Sequence, residues 1–499
     1  MNRIGIILLL LLNSNISFSQ KNKNNPSLTF ESYIQATMKE WKTPGMSVVV
    51  VKDGKVVFKN AYGVTTLGKP DPFTTSTLSI CASTTKAMTA VCMGMLVDEG
   101  KIKWSDKVSD IYPALKLKDD YASSELTIKD LFTHNSGLGN ADWLWVTGQE
   151  LDTIIYKMRF IKPAYSFRSS FIYQNLMYMI AGEVIHKVSG KTWPDFIMER
   201  LFAPLGMAHT YPVYRLSLNE PGHITPHWMY DDSVVKPIPY IDTKGIDAAG
   251  GVWSCADDIA KWVSFLLDSA SVNGKRLLKE ETFHELFKPL AMVTDDQFYP
   301  TQEITKPHWK TYGLGWFQED YRGNMLQFHT GSLDGAVAII GLIPDMHFGI
   351  YIFANLDHTE LRHALMYKAI DLWCFNDNSQ NWSKDFFALY KNRKLKEKRR
   401  EEEKEAKRVL NTIPMEMSAY EGKYHNEVFG DAEVIFHNDS LLLKYPNNIS
   451  AYLTHWNYNS FVGKFNYDWF EKSWITFSVN ELGKITQFDM DGMPYKKIN

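Results

Sequence analysis

The stretch Ser79-Ile80-Cys81-Ala82-Ser83-Thr84-Thr85-Lys86-Ala87-Met88-Thr89-Ala90 decides how the chain is read. The residues that follow, through Met95, Leu96 and Val97 to Gly100, are apolar, rich in helix formers and closed by glycine. A helix is predicted there, with Ser83 and Lys86 near its head. Residues three apart share a helical face, which places the Lys86 amine beside the Ser83 hydroxyl. A hydroxyl becomes a useful nucleophile only when a neighbour takes its proton, and a lysine does so only when neutral. Burial and the positive end of a helix dipole both disfavour the ammonium. A Ser-x-x-Lys arises by chance about once or twice in a chain of this length, so the spacing needs support from elsewhere.

Composition narrows the class. The 499 residues suggest more than one domain, and 45% hydrophobic with 22% charged residues is ordinary for a globular protein. A net charge of −3, with no basic stripe interleaved with aromatics, argues against a nucleic-acid partner. Met1-Asn2-Arg3, the apolar run Ile4 to Leu12 and Ser17-Phe18-Ser19 form a signal-peptide pattern over residues 1–19. The run is too short for a membrane span, which needs about 20 residues. A secreted or periplasmic protein with no integral membrane segment after cleavage is the expectation. The cysteines are Cys81, Cys92, Cys255 and Cys374. On one helix Cys81 and Cys92 would lie about 16 Å apart, beyond the reach of a disulfide of about 7 Å. Their spacing has no zinc pattern, so buried free thiols and no metal or cofactor are expected.

Along the chain, Phe30 to Trp41 has helical spacing, and Gly45 to Phe58 reads as two strands joined at Asp53-Gly54. A helical pattern returns at Phe171 to Ser189, and a tight small-residue stretch from Ala248 to Cys255 leads into a helix through Leu267. Strand-like segments follow at Gly313 to Phe317, Val337 to Ile343 and Phe348 to Ala354, then a helix from Leu361 to Trp373. Strands at both ends with helices between predict one α/β (α+β) sandwich whose sheet joins the early hairpin to the late strands. Residues 376–413 contain a charge run from Lys391 to Arg408 with opposite charges at helical neighbour spacing, a solvated connecting helix. Residues 414–499 alternate polar and apolar between turn signals, which predicts a small antiparallel β-barrel or sandwich.

Two further motifs could complete a site around Ser83. In Tyr173-Gln174-Asn175 a phenol could relay a proton and an amide could hold a substrate carbonyl. In His329-Thr330-Gly331-Ser332 a glycine permits close approach of substrate to a strand, and the next backbone N–H could serve an oxyanion hole. No Gly-x-Ser-x-Gly elbow occurs, and His284-Glu285-Leu286-Phe287-Lys288 only half matches a zinc helix.

Together the three motifs, in this order, resemble the serine β-lactamase and penicillin-binding-protein-like superfamily, closest to its class C β-lactamase, carboxypeptidase and esterase branch. The likeness covers roughly residues 27–375 and extends to Leu126–Leu138, Asn175–Thr210, Ala248–Leu267 and Tyr312–Trp316. The β-rich tail is similar to the lipocalin-like C-terminal domains of some members. The resemblance implies a β-lactamase/transpeptidase-like fold and an acyl-enzyme hydrolase acting on a small molecule or peptide, cell-wall peptides among them. It implies Ser83 as nucleophile, Lys86 and Tyr173 as acid/base pair, Asn175 as substrate positioner and His329-Thr330-Gly331-Ser332 on an edge strand. The Ser83 and Ser332 N–H groups would bind the oxyanion. His329 departs from the lysine of many members, and a mostly neutral histidine offers a substrate carboxylate no permanent cation. Esters, amides and D-amino-acid peptides are therefore as plausible as β-lactams. The alternative is a penicillin-binding receptor or β-lactamase with little other activity.

Overall fold

The computed structural model describes residues 25–240 and 245–498; the leader expected over residues 1–19 lies outside them. Helix α1 (Pro26–Glu40) leads into a hairpin of β1 (Gly45–Lys52) and β2 (Lys55–Gly63). A 3₁₀ turn, Ala82–Thr84, runs into α2 (Thr85–Asp98). The helical region continues through α3 (Asn175–Ser189) and α4 (Ala256–Leu267). Strands β3 (Ala291–Met292), β4 (Lys310–Tyr312), β5 (Phe317–Tyr321), β6 (Asn324–Leu333), β7 (Ala336–Ile343) and β8 (Phe348–Ala354) follow, then α5 (Leu361–Cys374). The eight strands form one antiparallel sheet in the order β2-β1-β8-β7-β6-β5-β4-β3.

The unbroken apolar runs of β1, β7 and β8 mark strands covered on both faces. Alternate side chains point to opposite faces of a strand, so each such strand feeds two cores. Val49 and Val51 enter the core shared with α2, α3 and α4. Met46, Val48 and Val50 enter the core shared with α1 and α5. Burying each such side chain contributes about 1.5–3 kcal/mol, which holds the hairpin in register with β8. Helix α2 is buried all round from Thr85 to Leu96, the pattern of a central helix rather than a surface one.

Two expectations are corrected. The stretch Gly313 to Phe317 is not a continuous strand: β4 ends at Tyr312 and β5 begins at Phe317. Gly315 between them has φ 89°, and a Cβ there would lie 2.9 Å from the Ala87 backbone, so the chain bends to let α2 approach. The strand carrying His329 to Ser332 is also not an edge strand but lies inside the sheet between β7 and β5. Its pairing with β5 stops at Phe328, however, so His329 to Leu333 pair with β7 alone and keep a locally open side.

Helix α6 (Trp382–Ala406) spans 25 residues, about 37 Å, and is exposed from Lys391 to Ala406. Beyond it β9 (Gly422–Asn426), β10 (Gly430–His437), β11 (Ser440–Lys444), β12 (Ser450–Asn457), β13 (Ser460–Phe465), β14 (Ser473–Val479), β15 (Ile485–Met490) and β16 (Met493–Lys497) form a closed antiparallel barrel. Pairing of β9 with β16 closes it and removes the free edges. Its aromatics divide by their environment. Tyr420, Tyr424, Phe461 and Phe477 fill the barrel core, whereas Trp469 and Phe470 sit at the side facing the larger domain.

Candidate active site

Ser83 sits in the 3₁₀ turn that opens α2, and the residue before it, Ala82, is held at φ 46°, a left-handed conformation an L-residue rarely adopts. The open side of β6 presses on this corner. A Cβ at Gly331 would run into the Cys81 carbonyl oxygen and lie 3.1 Å from the Ala82 side chain. Only glycine allows that approach.

Lys86 is wholly buried, and its Nζ lies 3.0 Å from Ser83 Oγ, 2.9 Å from Asn175 Oδ1 and 2.9 Å from the Ala249 carbonyl oxygen. The Asn175 amide is fixed in this sense because its Nδ2 donates to Asp142 Oδ2 at 3.1 Å. Burial brings the Lys86 pKa down to about 7, against a smaller upward pull from the Asp142 carboxylate. A neutral amine has two N–H donors and one lone pair. The Ala249 carbonyl and Asn175 Oδ1 can only accept, so they take the two N–H groups. The lone pair is left for Ser83, the one partner of the three able to donate.

Tyr173 precedes α3 by two residues, and its ring lies 4.8 Å from Lys86 Nζ. Its hydroxyl is buried, and although Ser83 lies near enough to ease its ionisation, no hydrogen bond of good geometry forms with any described residue. Burial holds the phenol well above its ordinary pKa, so it stays protonated. His134 fixes this segment: its Nδ1 accepts the Gln174 backbone N–H at 2.9 Å, and its ring packs 4.3 Å from that of Tyr173. Burial and the nearby Lys86 and His329 keep His134 neutral, and with Nδ1 accepting, its proton resides on Nε2.

His329 is buried with both nitrogens engaged: Nε2 lies 2.9 Å from the Tyr312 hydroxyl and Nδ1 2.6 Å from the Thr330 carbonyl oxygen. A carbonyl cannot donate, so Nδ1 carries the proton and Tyr312 donates to Nε2. Burial and the neighbouring Lys86 press its pKa to about 3, leaving it uncharged at working pH. Thr330 Oγ1 is 2.6 Å from the Tyr299 hydroxyl. Arg362 Nη1 donates to the Gly331 carbonyl at 2.7 Å and to Ser332 Oγ at 2.8 Å. Its charge is balanced by buried Glu360, whose carboxylate also meets His363.

The site therefore unites all eight residues singled out in the sequence, with Ser83, Lys86 and Asn175 in direct contact. Asp142 and Arg362 join it from segments that the sequence does not single out, and the Ala249 carbonyl and His134 from family-like segments in which no single residue is marked for that role. Among the described residues no cluster of three or more His, Cys, Asp or Glu is arranged to hold a metal ion, and no helix is long and apolar enough to cross a membrane.

Residues 30–372 match the beta-lactamase family. The chain belongs to that family. Residues 406–499 match a separate domain of unknown function, DUF3471. Among relatives of this beta-lactamase family chain, an unguisins hydrolase of Aspergillus violaceofuscus is 28% identical over 379 residues, 68% of this chain and 64% of that protein. Protein flp of Staphylococcus aureus is 24% identical over 342 residues, 67% of this chain and 64% of that protein. The chain thus spans just under two thirds of the length of these relatives. In fold it is similar to an octameric penicillin-binding protein homologue from Pyrococcus abyssi, with a TM-score of 0.61, 22% identity and coverage of 94% of this chain and 99% of the other.

Proposed function

We propose that this beta-lactamase family chain is an exported serine hydrolase, secreted or periplasmic, that cleaves an ester, amide or D-amino-acid peptide bond through an acyl-enzyme on Ser83. The observation that carries the reading is the buried Lys86 amine, held by two groups that can only accept and therefore offering its lone pair to Ser83 Oγ. Ser83 Oγ attacks the substrate carbonyl while its proton passes to Lys86 Nζ. The oxyanion forms in the corner between the Ser83 and Ser332 backbones. When the tetrahedral species collapses, the leaving group takes a proton from the Tyr173 phenol, which burial keeps protonated, and Tyr173 is restored from Lys86. Water then reverses the sequence to release the acid. Asn175 orients Lys86 and faces the substrate amide.

The neutral His329 favours substrates without a carboxylate at that position over β-lactams. The test is intact-mass spectrometry of the full chain with a penicillin and with a short activated ester, each beside Ser83→Ala, with product followed in parallel. Ser83-dependent turnover of the ester supports the hydrolase. A Ser83-dependent penicillin adduct that persists without product supports the receptor alternative instead. Wild type indistinguishable from Ser83→Ala with both compounds refutes the nucleophile assignment.

A further inference from the structure

The barrel meets the larger domain beside the catalytic corner, and a cavity of about 290 Å³ lies in the seam. Two segments that carry residues of the candidate site continue into its lining. On one side Asp334 follows Ser332 by two residues, a span of at most about 7 Å. On the other, Trp143 follows Asp142, the residue that holds Asn175 against Lys86. The barrel provides the far wall through Phe465, Trp469, Phe470 and Met490, and Trp228 completes it.

This seam is built rather than merely apposed. Trp469 Nε1 donates to Asp334 Oδ2 at 2.8 Å, and the Tyr230 hydroxyl donates to Asp468 Oδ1 at 2.6 Å. The Trp143 ring lies 5.4 Å from that of Tyr445 and 5.9 Å from that of Phe465, with edges toward their faces. The turn bearing Asp334 is tied to the strand bearing Trp228 by a hydrogen bond of 2.9 Å from the His227 N–H to the Gly335 carbonyl. Three indoles, two phenyl rings and methionine thioethers make an apolar lining. A dry apolar cavity of about 150 Å³ accommodates benzene, so this volume has room for a benzyl group or a short alkyl chain. The charged residues lining it, Asp334 and Glu471, are both acids, which disfavours a ligand carboxylate.

We propose that this cavity is the specificity subsite of the enzyme, taking an uncharged aromatic or short aliphatic group that the substrate carries next to the carbonyl attacked by Ser83. The inference rests on the serine-hydrolase reading for its link to turnover. It assigns the barrel a direct part in choosing the substrate: one wall of the binding site comes from each domain.

Two readouts on the full chain test it. In the Ser83→Ala protein, binding of phenylacetamide and of phenylacetate is followed by ligand-observed NMR, with and without Ser473→Trp, which fills the cavity from the barrel side. Met493→Trp serves as a second filling variant should Ser473→Trp unfold. In the active protein, kcat/KM is compared for p-nitrophenyl phenylacetate and p-nitrophenyl acetate. The neutral amide is expected to bind at least tenfold more tightly than the isosteric anion and to lose at least tenfold on filling. The phenylacetyl-to-acetyl ratio of kcat/KM is expected to fall at least tenfold, within the range that pocket contacts command. Equal binding of amide and anion, or filling variants that fold and leave binding and ratio within twofold of their parents, overturns the subsite. Absence of Ser83-dependent ester turnover refutes the hydrolase reading instead, and the binding arm still decides the cavity.

Discussion

Asp142 touches neither Ser83 nor Lys86, yet in the proposed mechanism its charge shifts the pH at which Lys86 would become a base. The carboxylate holds Asn175 Nδ2 at 3.1 Å, and Asn175 Oδ1 holds Lys86 Nζ at 2.9 Å. Across one amide the two charges lie roughly 7 Å apart, where an effective dielectric of about 20–40 gives about 1–2 kcal/mol of attraction, or about one to two pH units. The attraction raises the Lys86 pKa against the larger effect of burial, which brings it to about 7. In the wild type, kcat/KM should rise with pH through a limb near 7, as the ammonium releases its proton and the lone pair becomes free for Ser83. Asp142→Asn keeps the shape but removes the charge, so the limb should move about one unit or more to lower pH. The profile is recorded with an activated ester from pH 5 to 9, with Ser83→Ala subtracted at each point. A limb that stays in place in Asp142→Asn, while the variant retains its melting temperature, would falsify the electrostatic account. A wild-type limb near 10 would refute the buried neutral lysine itself.

Other perturbations separate parts of the same construction. Gly331→Ala forces the β6 backbone away from the Cys81 carbonyl, and losing one oxyanion contact should cost about 10²–10³ in kcat with little change in KM, read by steady-state kinetics. Arg362→Gln leaves Glu360 buried without its main counter-charge and should destabilise the fold by about 3–5 kcal/mol in denaturant unfolding. The double change Arg362→Gln with Glu360→Gln should recover much of that, and no recovery would place the loss elsewhere. Glu319 is buried against the Tyr367 hydroxyl, and burial lifts its pKa to about 8. A carboxyl with a raised folded pKa adds stability that is complete below its unfolded pKa of about 4.5 and disappears as pH rises through 8. The melting temperature of the wild type should therefore fall more steeply from pH 5 to 8.5 than that of Glu319→Gln, and parallel slopes would contradict this.

What the sequence reveals and what it hides divide on physical grounds. Ser83 and Lys86 are legible because a spacing of three on a helix translates directly into a contact, and the family follows from three motifs in fixed order. The covered sheet is legible from β1 and β7, whose apolar runs have no polar alternation. The barrel is legible from alternation punctuated by turns. Contacts made by backbone atoms leave no trace: the Ala249 carbonyl that takes a Lys86 N–H has no side-chain signature, although its segment resembles the family. Asp142 and Arg362 are hidden because their partners are distant in sequence, and isolated charges are normally surface residues. The interior position of β6 is equally hidden, since a strand open along only half its length looks the same in sequence as one at an edge.

The pairing of β1 with β8 has a consequence for how the molecule is made. Met46 lies opposite Ala354, and Lys52 opposite Phe348, so the central sheet joins segments about three hundred residues apart in the chain. Non-local pairings of this kind must meet the entropy of closing a long loop before any contact stabilises them, and they fold slowly. A growing chain contains the complete helix α2 long before it contains the strand against which the first hairpin must lie. The sheet can form only once residue 354 is available, which keeps the chain open during synthesis.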